Sequence, residues 1–352
     1  MVRIGTLPMR MLALKYGAHL VFSPEVVDRS LLTARRVQPQ NGPFIEYRDN
    51  DKVLFRLHAS ERSRLIIQLG SSNAERAVQA ARLVKQDCAG IDLNCGCPKK
   101  FSTHDGMGAA LLETPDLLCD ILRKLSVEVA PKPVSVKIRI LPQGVEATKL
   151  LLMRIVETGI QALSIHGRTR HDTYEKTCDW EAVSELAAYV RGIRPDLFLN
   201  LSGDVFSLID AQRAFEQVGV DGVLIARGAQ WNVSVFSPNT RPLLDIIREY
   251  LELSKELQNH ASNSKYAVVE MLVKDPKAHK ELLRAIYSSK TIDQMLTALG
   301  QEEKTIGGRA VVERRSSVSS VDYEAEDVEF GYTKERQEAR MSEKINKILS
   351  TP

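Results

Sequence analysis

The chain has 352 residues, 43% of them hydrophobic, and a net charge of +3. This gives room for one large folded domain and a smaller one, and the charge is too mild to signal nucleic acid by itself, although a local basic patch stays open. No stretch approaches the ~20 apolar residues of a membrane-spanning helix, and residues 1–8 lack the apolar core of a secretory leader.

The five cysteines, Cys88, Cys95, Cys97, Cys119 and Cys178, follow no regular spacing. An odd, unpatterned set is expected to be free thiols in a reducing compartment. Cytoplasm is the expected location, with nucleus and mitochondrion open. No His/Cys grouping has zinc-site spacing, so no structural metal is expected.

Residues 5–16 read as a loop and a first helix. Strand-like apolar runs then recur at 20–23, 65–69, 90–94, 134–140, 163–166, 197–201 and 222–226. Between them lie amphipathic segments at 74–84, 116–125, 147–158, 180–190 and 207–217, with apolar residues at three- and four-residue spacing. Thr114-Pro115 suits a helix start and Gly159 a helix end. The alternation implies parallel strands with helices outside. Polar residues close many of the strands: Gln68, Asn94, Lys137, His166, Asn200 and Arg227. In a TIM (β/α)8 barrel those ends converge on one face, whereas a doubly wound sheet concentrates its site at one switch point. The pattern therefore favours the barrel. Seven runs are one short of eight, and the first strand, expected ahead of residues 5–16, is missing.

Beyond residue 240 the pattern becomes all helical, at 243–255, 265–274, 277–288 and 292–299. The expected division is a barrel over 1–240, a small all-α domain over 241–300, and a charged, Ser-rich, mostly disordered tail over 301–352 with a short helix near 334–349.

The segment Asp92-Leu93-Asn94-Cys95-Gly96-Cys97-Pro98-Lys99 is the most informative. Gly and Pro turn the chain sharply after the strand, which presents a thiol and an amide at the barrel mouth. Two buried core cysteines, or a Cys-x-Cys metal or redox pair, remain open from the residues alone. The glycines of Gly106-Met107-Gly108 allow either a flexible lid or a close backbone approach. Lys137 lies in an otherwise apolar strand, and an inward lysine needs an anion; a strand-end lysine reaching solvent is the alternative. His166-Gly167-Arg168-Thr169 suits phosphate or flavin contact. Gly203, Asp204 and Ala226-Arg227-Gly228, at the last two strands, suit a phosphate held by backbone amides.

These stretches, together with Leu7-Pro8-Met9-Arg10 and Ile67-Gln68-Leu69-Gly70, resemble the tRNA-dihydrouridine synthase family in identity and order over roughly residues 1–300. The class acting on D-loop uridine 20 looks most similar, through residues 1–10 and 259–266. The resemblance implies an FMN-bearing barrel, a helical tRNA-binding domain, and NADPH, or NADH, as reductant. It implies hydride transfer to uracil C6 and Cys97 as the acid that protonates C5. It places Met1, Gln68, Asn94, Lys137, His166, Asn200, Gly203, Asp204, Ala226 and Arg227 around the cofactor. Candidate RNA contacts are Lys99, Lys100, Arg168, Arg170 and Lys265, each of which could also be a solvated surface charge. A monomer is expected.

The sequence departs from the family pattern twice. Met1 stands where an Ala-Pro-Met loop would follow the first strand, and Leu201 replaces a small residue in Asn200-Leu201-Ser202-Gly203. Two other readings stay open: an FMN barrel reductase of a small pyrimidine, and an RNA-binding paralogue without strong catalysis.

Overall fold

The structure, a computed structural model, describes residues 3–38 and 42–307. Eleven strands are described: β1 (Val21–Phe22), β2 (Val26–Val27), β3 (Arg35–Val37), β4 (Phe44–Asp49), β5 (Lys52–His58), β6 (Leu65–Gly70), β7 (Gly90–Cys95), β8 (Val134–Arg139), β9 (Ala162–His166), β10 (Phe198–Ser202) and β11 (Gly222–Leu224). The helices are α1 (Leu7–Lys15), α2 (Asp28–Leu32), α3 (Ala74–Val84), α4 (Lys100–Thr103), α5 (Pro115–Val129), α6 (Val145–Val156), α7 (Trp180–Ile193), α8 (Leu208–Val218), α9 (Arg227–Trp231), α10 (Leu243–Glu256), α11 (Ala261–Leu272), α12 (Lys280–Ser288) and α13 (Ile292–Gly307).

The large sheet is parallel throughout, in the order β1-β6-β7-β8-β9-β10-β11, with β2 also pairing β6. It is the curled α/β sheet of a TIM-type barrel, with α3, α5, α6, α7 and α8 packed in sequence around it. Among the described residues β1 and β11 are not paired with each other, so the sheet is open along that seam. This is where the strand count falls one short. Helices α10 to α13 pack on one another, and α10 packs on α1. Helix α11 begins at Ala261, four residues ahead of expectation, because the His260 ring accepts the Ser262 amide and caps it. The expected tail segment with its helix at 334–349 lies outside the described residues, apart from 301–307, which belong to α13.

Two features differ from the expected pattern. The run at 20–23 is a broken strand: β1 stops at Phe22 and pairing resumes at Val26, so Ser23, Pro24 and Glu25 interrupt the ladder. An antiparallel sheet, β3-β4-β5, also stands between α2 and β6. Asn50, at positive φ, turns β4 into β5. Alternation there sends Ile45, Tyr47, Phe55 and Leu57 into the core.

This small sheet is tied down by buried charge. Arg10 of α1 and Glu61, just past β5, are 3% and 0% exposed and meet through Nε–Oε2 at 2.9 Å and Nη2–Oε1 at 2.7 Å. Arg10 also donates to the carbonyls of Gly5 and Arg56. Two parallel bonds satisfy both ions, while removing one partner strands the other without water. Glu61→Ala should lower the unfolding free energy by about 3–5 kcal/mol, read from urea melts; a loss under about 1 kcal/mol would mean that the pair only fills space.

Candidate active site

The expected residues converge at the carboxyl ends of β6 to β11. In the lower layer Gln68 Nε2 donates to Asp92 Oδ2 at 2.8 Å and Ser135 Oγ to Asp92 Oδ1 at 2.6 Å. The registers Gln68↔Asp92 and Asp92↔Ser135 bring these three side chains together. Asp92 is fully enclosed, and burial pushes its carboxyl up. The interior is thus polar where a barrel is usually filled by Val, Ile and Leu.

Above this layer the chain turns at 94–97. Asn94 Oδ1 accepts the Gly96 amide at 3.1 Å and the Cys97 amide at 3.2 Å. This side-chain-to-backbone closure is the conformation that Asn readily supports. Asn94 is 6% exposed and its amide oxygen is committed to the turn, so what it positions directly is Cys97. Arg139 clamps the same turn from β8, donating from Nε to the Gly96 carbonyl at 2.7 Å and from Nη1 to the Thr169 carbonyl at 2.8 Å. The Ala109 amide takes the Cys97 carbonyl at 2.9 Å. Gly108 has φ +58°, and a Cβ there would stand 2.6 Å from the Cys97 carbonyl and 2.4 Å from Ser102 Oγ. The Gly-Met-Gly run is therefore a close backbone approach.

Cys97 is half-buried, while the other four thiols are buried. Burial first, then the nearby Glu25 carboxylate, pushes the Cys97 thiol up, so it keeps its proton at neutral pH. Cys95 lies wholly in the core, with its thiol pushed far up by burial. Among the described residues no group of three acidic, His or Cys side chains could hold a metal, which leaves no partner set for a Cys-x-Cys site.

Lys137 stands beside Asn94 and Ser164 in register and faces the interior. Desolvation and then Arg139 lower its pKa to about 8. Among the described residues its ammonium makes no hydrogen bond or ion pair. His166, 8% exposed, accepts the Arg168 amide at Nδ1 at 3.2 Å, which leaves the proton on Nε2. Desolvation, then Lys137, Arg139, Arg168 and Arg227, lower its pKa to about 2. Asn200 donates to Ser164 Oγ at 3.3 Å, and Gly222 leaves room for its amide oxygen.

Asp204, at φ +54°, is a junction. It accepts Arg168 Nη2 at 2.9 and 2.7 Å, Arg227 Nη2 at 2.5 Å and the Cys178 amide at 2.7 Å. Arg168 is 2% exposed, so it does not lie on a surface where RNA would meet it. Its position is corrected to the interior, where Nη1 has no hydrogen-bond partner among the described residues. Gly203, at φ +115°, lies against His166 and Cys178, where a Cβ would be 3.2 Å and 2.5 Å from their atoms. Its carbonyl accepts Trp180 Nε1 at 3.0 Å. Ala226 is exposed at the start of α9. Arg227 lies 4.7 Å over the Tyr174 ring and 5.0 Å over Phe206. Phe206 stacks on Trp231 at 5.4 Å, with Lys274 4.2 Å over the indole.

Of the surface candidates, Lys99 and Lys100 follow the Cys97 turn, half-buried and exposed respectively. Arg170, in the β9–α7 loop, pairs with Glu113. Lys265 lies apart on α11, donating to the Tyr287 carbonyl at 2.9 Å. Met1 lies outside the described residues. Glu25 and Arg139 belong to this site although neither was singled out from the sequence. Arg139 was legible, since alternation puts it on the face of Lys137; Glu25 carried no signal.

A family model described as dihydrouridine synthase (Dus) matches residues 1–318. The chain belongs to the dihydrouridine synthase family. It is 42% identical over 315 residues to the NAD(P)+ tRNA-dihydrouridine(20) synthase of Schizosaccharomyces pombe, covering 86% of this chain and 64% of that protein. Identity to the Saccharomyces cerevisiae protein of the same description is 36% over 284 residues, covering 76% and 74%. A tRNA-dihydrouridine(16/17) synthase of S. pombe is 30% identical over 279 residues, covering 77% and 66%. The chain thus spans less than two thirds of the length of the first of these relatives.

The His166 arrangement has a measurable consequence. The folded ring stays neutral where an unfolded His, with a pKa near 6.5, takes up a proton. The unfolded state therefore binds more protons below about pH 6.5, and stability falls as pH drops through that window. His166→Asn should flatten the decline of unfolding free energy between about pH 6.5 and 5, a slope worth up to about 1.4 kcal/mol per pH unit. An unchanged slope in urea melts would show that the ring is protonated in the fold.

Proposed function

We propose that the chain is a flavin-dependent tRNA-dihydrouridine synthase, reducing the C5–C6 bond of D-loop uridine 20 with FMN as cofactor and NADPH or NADH as reductant. The carrying observation is the clamped Asn94–Cys97 turn, which presents a proton-bearing thiol in a mouth where Lys137 has no ion partner among the described residues. The position rests on the printed names of the two most identical relatives reported above.

The residues fit an anionic, phosphate-bearing cofactor. Lys137 has no ion partner among the described residues, and Arg168 Nη1 is buried without an acceptor. Buried cations of this kind call for a negative group. Lys137 would hold positive charge beside the isoalloxazine ring, and Gln68, tied by Asp92, would meet its edge. His166, Asn200, Gly203, Asp204, Ala226 and Arg227 would surround the rest, with Asp204 keeping both arginines oriented. Reduced FMN supplies the hydride when bound. Cys97 Sγ gives its proton to uracil C5 as general acid. The uridine must leave its stack to reach the mouth, a modest cost in a loop. Helices α10 to α13 would bind the tRNA body, with Lys99, Lys100, Arg170 and Lys265 as contacts.

The test is to express the chain in cells lacking their own uridine-20 synthase and to map dihydrouridine in their tRNA. The chain should restore the modification. Cys97→Ala should bind flavin and stay yellow yet lose on the order of 10²–10⁴-fold in turnover. Retained turnover would refute the acid role, and a purified chain that stays colourless with added FMN would refute the flavoenzyme reading.

A further inference from the structure

The break between β1 and β2 has a chemical result. It inserts Glu25 beneath Gly70, where a Cβ would stand 2.5 Å from Oε1, so glycine makes the space that the carboxyl occupies. Ser102 Oγ donates to Oε1 at 3.4 Å. Ser102 is fully buried. Its Oγ borders the same Gly108 opening as the Cys97 side chain, a Cβ there standing 2.4 Å from Ser102 Oγ and 3.1 Å from Cys97 Cβ. The carboxyl, the hydroxyl and the Cys97 side chain thus stand around one small opening, and a hydroxyl there can accept from one neighbour while donating to the other.

We propose that Glu25 returns the proton to Cys97 through the Ser102 hydroxyl after each turnover. This rests on the reading of Cys97 as the acid. The thiolate left on Cys97 takes the Ser102 proton, Ser102 takes the Glu25 carboxyl proton, and the Glu25 carboxylate is recharged from water. No electrons move, and one proton enters for the one delivered to C5. Two circumstances favour the route. The thiolate forms in a half-closed site while substrate covers the mouth. The carboxyl is raised by burial, with the nearby Asn94 and Ser102 side chains opposing, so it carries a proton at higher pH than a free glutamate. The charged groups facing Cys97 are Glu25 and Arg139, and Asp92 adds to the field at Glu25; Lys137 faces Cys97 from β8.

Alkylation of Cys97 by iodoacetamide, followed by peptide mass spectrometry across pH, reads the pair without flavin or tRNA. The other four thiols are buried, which isolates the signal. In Glu25→Gln the carboxylate field is gone, and the alkylation midpoint should fall by about one pH unit, several-fold faster modification at pH 7.5. Glu25→Asp should stay near wild type, and Ser102→Ala, which removes a donor to the thiolate, should move the midpoint up. With tRNA, Glu25→Gln and Ser102→Ala should lose multiple turnover at least several-fold more than they lose the single-turnover rate, since Cys97 starts protonated. Unchanged midpoints in both variants, or equal losses in single and multiple turnover, would overturn the relay. Shifted midpoints in a chain that reduces no tRNA would uphold the coupled pair and sink the substrate reading instead.

Discussion

The site depends on one turn held from three sides. Asn94 closes residues 94–97 from within, Arg139 holds the Gly96 carbonyl from the neighbouring strand, and the Ala109 amide holds the Cys97 carbonyl from beyond. Each partner sits on a different element, so the sulfur position reports the relative placement of β7, β8 and the loop after α4. Arg139 is itself nearly enclosed, and desolvation lowers its pKa. A guanidinium is placed there at a cost, and its bonds to two carbonyls offset that cost through geometry rather than charge.

That arrangement makes the mouth electrostatically crowded. Burial, and then the surrounding Lys137, Arg139, Arg168 and Arg227, hold His166 neutral. Against them stand Asp204, shared by two arginines, and the enclosed Asp92, which is bound to Gln68 and Ser135 rather than to a cation. Positive charge thus exceeds what the chain's own acids neutralise at the ends of β8 and β9, while the acids Glu25 and Asp92 lie toward β6 and β7. The mouth is polarised across its width, and the thiol stands between the two sides, with Glu25 on one and Arg139 on the other. The cationic wall draws an anion, while burial first and Glu25 second keep the Cys97 proton in place.

Much of this was legible in the sequence, for reasons particular elements make plain. Parallel strands buried on both faces read as apolar runs, so β6 to β11 stood out, as did the polar residues closing them. The β3–β5 sheet went unread because its strands carry Arg and Glu among the apolar positions, with Glu46 bonded to Arg48 and Arg56. Arg168 looked like a surface cation because Arg-Thr-Arg follows a strand end; its partner Asp204 lies 36 residues on, beyond any local spacing rule. Glu25 was invisible because its place is set by a break in β1–β2 and by the missing side chain at Gly70, a steric fact that appears only once β6 lies alongside.

The chain's two tryptophans, Trp180 and Trp231, both stand against this mouth. One is bonded to the Gly203 carbonyl and the other stacks on Phe206 and lies under Lys274. The molecule therefore carries a built-in optical gauge. Whatever settles over Gly203, or disturbs the stack that Arg227 begins, alters the surroundings of an indole, and a ligand that absorbs near 350 nm would drain its emission. Filling of the site is written into the protein's own fluorescence, with no label attached.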